Sequence, residues 1–260
     1  MDNLVDTYKK FIEIRKIINT KKKIDLSNYN FIDPLIIVLI FDFFNEKGIK
    51  YIRPTNHNVS NYVEILKNNY NILPIISSTY LPIVSIDKEN KYEIIEKLFE
   101  IAKEYYNINN KNLFFTMLGE LADNITQHSY SKKNFITIQK YNRLNFIEVI
   151  VYDDGIGIPG NFKKYNIKFN DDQEAIEMAI NGKSTSNMYG ENERGTGLNT
   201  TLNQVSNSNG EFLIISGSGG FYFNHGKGIK YNLNYDSSLK GTLVSFKLNK
   251  NINKLNLYTL

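Results

Sequence analysis

Glu120-Leu-Ala-Asp-Asn124-Ile-Thr-Gln-His128 and, further on, Asp153-Asp-Gly155-Ile-Gly157-Ile-Pro159 are the stretches on which the reading of this chain turns. The first ends a segment, 113–128, whose pattern predicts a helix. Glu120 and Asn124 lie four apart and project from one face, and His128 continues that row one turn on. The second follows residues 135–141 and 145–152, which alternate apolar and polar side chains around Asn142-Arg143 and predict an antiparallel hairpin. The hairpin's second strand delivers Asp153 directly to Gly155 and Gly157, where a missing Cβ lets backbone approach a ligand closely. A third stretch, Arg194-Gly195-Thr196-Gly197-Leu198, opens a predicted helix over 198–205. Backbone N–H groups at a glycine-rich helix start form an anion site, and the helix dipole favours negative charge there. No lysine follows these glycines at P-loop spacing, and a loop rather than a strand precedes them, so neither a P-loop nor a dinucleotide fingerprint is read here.

Each stretch alone has an ordinary reading: a polar stripe on an amphipathic helix, a glycine turn after a strand, a glycine-rich helix start. Together, with Asn124 about 29 residues before Asp153, they resemble the ATP-binding fold shared by gyrase, heat-shock chaperones, histidine kinases and MutL, the GHKL or Bergerat superfamily. The resemblance spans roughly residues 95–250 and implies ATP and Mg2+ as ligands. In that family the asparagine, here Asn124, gives its side-chain oxygen to magnesium, and the glutamate, here Glu120, orients or deprotonates the attacking hydroxyl or water. Asp153 would accept from the adenine amino group, with Gly155 and Gly157 against base and sugar. Gly195, Thr196, Gly197 and Leu198 would meet the phosphates, and Thr242 would support Asp153 from the last strand. Lys183 and Arg194 are further phosphate contacts or solvated loop cations. His128 is a phosphate contact or a satisfied polar residue at a helix end. Residues 160–194 would form a mobile lid, 183–194 being polar and without periodicity.

Upstream, 23–26 and 49–52 read as strands. Helices are predicted over 35–47, with Asp33 as cap and Pro34 first, and over 60–69. This strand–helix alternation argues for an α/β layer. It is similar to the STAS fold of anti-sigma-factor antagonists, but Asp33-Pro34-Leu35 stands where that family carries a phosphorylated Ser or Thr. Residues 71–90 read as a connector, 91–106 as a helix, and 210–216, 220–224, 229–233 and 241–247 as closing strands. The expected class is therefore α/β (α+β): a C-terminal α/β sandwich of Bergerat type, residues 88–260, behind a small STAS-like α/β domain, residues 1–87. The N-terminal domain is expected to bind a protein partner or a second copy and to perform no chemistry.

Composition excludes other classes. With no cysteine there is no disulfide framework, Cys-based zinc site or thiol nucleophile, which fits a reducing cytoplasm. His57, His128 and His225 are scattered, against a histidine metal cluster. The start lacks the apolar core of a signal peptide, and no run approaches the roughly 20 residues that span a bilayer. A net charge of +4 is mild, and Lys21-Lys22-Lys23 reads as solvated surface, so nucleic acid is not an expected partner. His57, placed on a loop after Pro54 with no pair of long helices before Leu113, does not fit a sensor histidine kinase. Two readings remain. One is a magnesium-dependent ATPase or serine/threonine kinase of the anti-sigma type in a bacterial regulatory system, acting on a STAS-type or sigma-factor-like protein. The other is an ATP-gated interaction module with little turnover.

Overall fold

A computed structural model describes residues 2–69, 77–105, 111–128, 130–183 and 197–250. The alternating segments become seven antiparallel strands: β3 (Tyr80–Ser85), β4 (Asn134–Tyr141), β5 (Phe146–Asp153), β6 (Glu211–Gly217), β7 (Gly219–Asn224), β8 (Lys227–Asn232) and β9 (Leu239–Asn249). Their order is β3-β4-β5-β9-β6-β7-β8, so the last strand inserts beside β5. β5 is buried at every position, and successive side chains go to opposite faces. Ile147, Val149 and Val151 enter one core, Ile150 and Tyr152 the other.

The first core is roofed by helices α4 (Lys91–Ala102), α5 (Lys111–Asp123), α6 (Gly157–Lys164), α7 (Asp172–Ile180) and α8 (Gly197–Asn207). Helix α6 was not foreseen, because Gly157 and Pro159 read as a turn. α5 runs on into a π-helical turn, Asn124–His128. α7 ends in a Schellman motif: Lys183 N donates to Met178 O (2.9 Å), Gly182 N to Ala179 O (3.1 Å), and Gly182 has φ +89°.

The second core belongs to the first third of the chain. Its elements are α1 (Leu4–Lys21), β1 (Lys23–Asp25), α2 (Pro34–Ile40), β2 (Lys50–Ile52) and α3 (His57–Asn69), with β1 and β2 paired in parallel. α1 has no counterpart in the sequence reading: charged residues interrupt its apolar face, and only Leu4, Thr7, Tyr8, Phe11 and Ile18 are buried. His57 opens α3 and is not on a loop. α2 is apolar all round and buried at all seven positions, as a helix enclosed on every side must be. Asp33 caps it, accepting from Leu35 N at 3.0 Å. The helix stops at Ile40 and gives way to a 3-10 turn over Phe41–Asn45, shorter than the predicted 35–47. Phe41 stacks edge-on to Phe135 of β4 at 5.2 Å. The break expected near residue 88 falls just after β3, whose hydrogen-bonded neighbour is β4.

At one end of this second interface the sheet turns polar. Glu148 of β5 lies opposite Lys247 of β9, and Lys247 opposite Glu211 of β6. Lys247 Nζ donates to the Asp2 carbonyl at 3.0 Å, and Leu4 N donates to the Glu211 carboxylate at 2.9 Å, a negative charge at the start of α1. Glu148 is fully buried and accepts from the Tyr141 and Ser245 hydroxyls, each at 3.3 Å. Burial, then the nearby Asp33 carboxylate, hold its carboxyl well above the ordinary 4.5, while Lys247 and the two hydroxyls pull it down.

Because both cores share one sheet, Ile37→Ala in α2 and Val149→Ala in β5 should each lower stability by about 2–4 kcal/mol while leaving one cooperative urea transition. Separate transitions for tertiary probes on the two faces would show that the halves unfold independently. Folded Glu148 holds its proton more tightly than the unfolded residue does, so its contribution is lost as pH rises above about 4.5. Glu148→Gln should therefore gain thermal stability relative to the parent as pH rises above about 4.5; a pH-independent difference would contradict this.

Candidate functional site

Strand pairing builds the first cluster. Asp153, the last residue of β5 and 1% exposed, lies opposite Thr242 of β9, and Gly155 N donates to its Oδ1 at 2.9 Å. Burial pushes its carboxyl up to about 7; the Gly155 N–H and the Thr242 hydroxyl pull down, and the Asp154 carboxylate pushes up. Asp154 turns the other way, its Oδ1 accepting from Lys132 N and Lys133 N at 2.9 Å each.

Two glycines are obligatory. Gly157 has φ +70°, and a Cβ there would lie 2.6 Å from Ser216 Oγ. Gly241 has φ +81°, and its Cβ would lie 1.8 Å from the Asp153 carbonyl oxygen. Ser216, buried at the end of β6, ties these parts together. Its hydroxyl accepts from Ile158 N (2.9 Å), donates to Gly241 O (2.9 Å) and sits 3.1 Å from Thr242 Oγ1. The sequence reading missed Ser216 and Gly241. Gly241 was signalled only by preceding Thr242, and nothing local distinguishes Ser216, because cross-strand register selects it.

A second cluster forms where α5 meets α8. Gly197, the first residue of α8, packs so closely on Glu120 that a Cβ would stand 2.6 Å from the Glu120 Cβ and 2.8 Å from its Oε2. Glu120 thus borders the first turn of α8. Leu198 faces away, its side chain 7% exposed within the first core. Lys91 pairs with Asp123 at 2.5 Å, fixing that side of α5, while Asn124 is exposed at the start of the π turn. Beyond it Tyr130, with φ +54°, lies under Lys164 Nζ, 3.3 Å from its ring centroid. Its hydroxyl is 3.4 Å from that of Tyr165, which links this end of the π turn to α6.

The lid expected over 160–194 is in part packed structure. Phe162, Ala175, Ile176 and Ile180 are core residues, and Asp172 Oδ2 accepts from both Ser218 N and Ser218 Oγ at 2.9 Å. Lys183 is exposed and closes the end of α7. Arg194, Gly195, Thr196 and the remainder of the expected lid lie outside the described residues, as does the His128 side chain.

The residues present fit a purine nucleotide with magnesium in their chemistry. A buried carboxylate meets a turn that only glycine can line, and an exposed amide oxygen, a hard ligand of the kind magnesium takes, stands one helical turn from a carboxylate. Among the described residues no group of three His, Asp or Glu could hold a metal by itself, and no helix is long and apolar enough to cross a membrane. The chain matches no protein-family model, and comparison with curated proteins gives no match.

Gly241→Ala should destabilise by about 1–3 kcal/mol from backbone strain alone, with more from the contact with Asp153. Unchanged urea stability would mean that the β9 turn is not as tight as described.

Proposed function

We propose that this chain binds ATP with magnesium in the manner of the GHKL, or Bergerat, ATPases. The observation that carries the proposal is the buried Asp153, which accepts from Gly155 N, is pressed by Gly241 and lies opposite Thr242 at the end of a strand covered on both faces. A buried carboxyl pushed up to about 7 lacks the solvation of an exposed acid. An exocyclic adenine amino group would supply the missing donor, which the carbonyl oxygen of guanine would not.

In this reading Asn124 would hold magnesium through its side-chain oxygen, and the chemistry such an ion would supply is neutralisation of phosphate charge. Glu120 accepts the proton of the attacking water or hydroxyl as the new bond to the γ-phosphorus forms and the bond to the β–γ bridging oxygen breaks, releasing ADP. The N–H groups opening α8 bind the phosphate oxygens, and the contact of Gly197 with Glu120 keeps base and phosphate site adjacent. The activity is ATP hydrolysis or anti-sigma-type phosphorylation of a serine or threonine on a protein partner. The first third of the chain, read as STAS-like, supplies no phosphoacceptor at Asp33-Pro34-Leu35, where Pro34 and Leu35 are buried. That feature favours the second reading, an ATP-gated interaction module.

Asp153→Asn should weaken ATP binding by about 1–3 kcal/mol in calorimetry, and equal affinity would remove the basis of the proposal. Since binding favours the ionised carboxylate, ATP affinity of the parent should rise with pH and level off above about 7. Asn124→Ala should lose the magnesium-dependent part of affinity, whereas Glu120→Ala should bind and not turn over. Equal binding losses in both would make Glu120 a ligand and not a base.

A further inference from the structure

We propose that α1 shapes the Asp153 site from behind, with Arg15 a positioning residue for adenine; the inference rests on the nucleotide reading above. Where β9 passes β6 the register shifts. Thr242 pairs with Ser216, but Gly217 pairs with Leu239, so β9 uses three residues where β6 uses one. The extra residues, Lys240 and Gly241, form a bulge, and that bulge presses Gly241 against Asp153. Before the buried Leu239 the approach to the bulge has little packing of its own: Tyr235 is 92% exposed, and the 3-10 turn Tyr235–Ser237 contains no buried residue.

What fixes that segment comes from more than two hundred residues earlier. Arg15 donates from Nη1 to Ser238 O at 2.7 Å and from Nη2 to Asp236 O, and the Tyr8 hydroxyl donates to Ser237 O at 2.8 Å. Three consecutive carbonyls are thus gripped from one helix face. Tyr8 is 4% exposed, and its ring packs 5.6 Å from that of Phe11, over which the Arg15 guanidinium lies at 5.2 Å. A planar fork reaches two carbonyls at once, which a lysine ammonium on a flexible stem does not reproduce. From Ser238 only Leu239 and Lys240 intervene before Gly241 and Thr242. The position of α1 therefore sets how closely the bulge closes on Asp153, which governs base recognition and leaves the phosphate end, built on α5 and α8, untouched.

The test uses the full chain and calorimetry with Mg-ATP, Mg-GTP and magnesium tripolyphosphate, on the parent, Arg15→Ala, Arg15→Lys, Tyr8→Phe and Asp153→Asn. Arg15→Ala should weaken ATP about tenfold, narrow the preference for ATP over GTP, and leave tripolyphosphate unchanged; Arg15→Lys should fall between it and the parent. If Arg15→Ala does not melt cooperatively, Tyr8→Phe, which removes one hydroxyl, decides with an expected loss of about threefold. A folded Arg15→Ala with parental ATP affinity and preference overturns the inference, as does an equal loss for tripolyphosphate, while a weakened Asp153→Asn in the same series leaves the nucleotide reading standing. Parental ATP binding by Asp153→Asn removes the nucleotide reading and this inference with it.

Discussion

β5 is hydrogen-bonded on both edges and covered on both faces, and everything of interest in the chain follows from where it stops. Its neighbours β4 and β9 satisfy the backbone, and its alternate side chains fill two separate cores. Its last side chain, Asp153, is a carboxyl only 1% exposed to solvent. Burial disfavours the charged carboxylate, and the backbone N–H groups of Gly155 and Thr242 with the Thr242 hydroxyl offset this only in part. Such a group is costly in a free protein and useful in one that receives a donor from a ligand. The strand's enclosure therefore creates both the tension at Asp153 and the rigidity that would let a ligand exploit it.

That enclosure needs both halves of the chain. The five C-terminal helices cover one face, but the other would expose Phe135, Ile150, Leu213, Ile215 and Leu243 if α1 and α2 were absent. Full burial of such side chains contributes about 1.5–3 kcal/mol each. The first third gains as much from the arrangement: two three-residue strands cannot cover an all-apolar α2, and the large sheet does. The polar row Glu148–Lys247–Glu211 lies within the large sheet, with Lys247 Nζ 3.6 Å from the Glu211 carboxylate, and Glu211 and Lys247 also hold Leu4 N and the Asp2 carbonyl at the start of α1. The first third is thereby coupled to the strands that carry the site.

Much was legible from local pattern. The hairpin of β4 and β5 announced itself by alternation, α5 and α7 by apolar spacing and caps, α2 by Asp33-Pro34. The turn residues Gly155 and Gly157 were legible because glycines directly after a strand allow close approach of the backbone. Where local signals were weak, the elements were missed: α1, whose apolar face is interrupted by charge, and α6, which begins at a glycine and contains a proline. That α7, within the expected lid, packs on β7 and is anchored by Asp172 to Ser218 was not legible, because both partners lie later in the chain.

The sequence by itself determined the alternation of strands and helices, the delivery of Asp153 to a glycine turn, and the one-turn spacing of Glu120 and Asn124. All of these depend on neighbours within a few residues, where backbone geometry fixes the outcome. The tertiary structure alone decided that β9 inserts beside β5 and brings Gly241 and Thr242 to Asp153. It also decided that Ser216 joins the β6 end to the Gly157 turn, and that Arg15 of the first helix grips the approach to β9. Those contacts join residues between 58 and more than 200 positions apart, and their partners are selected by strand register and by the burial of two faces of one sheet, which no local pattern encodes.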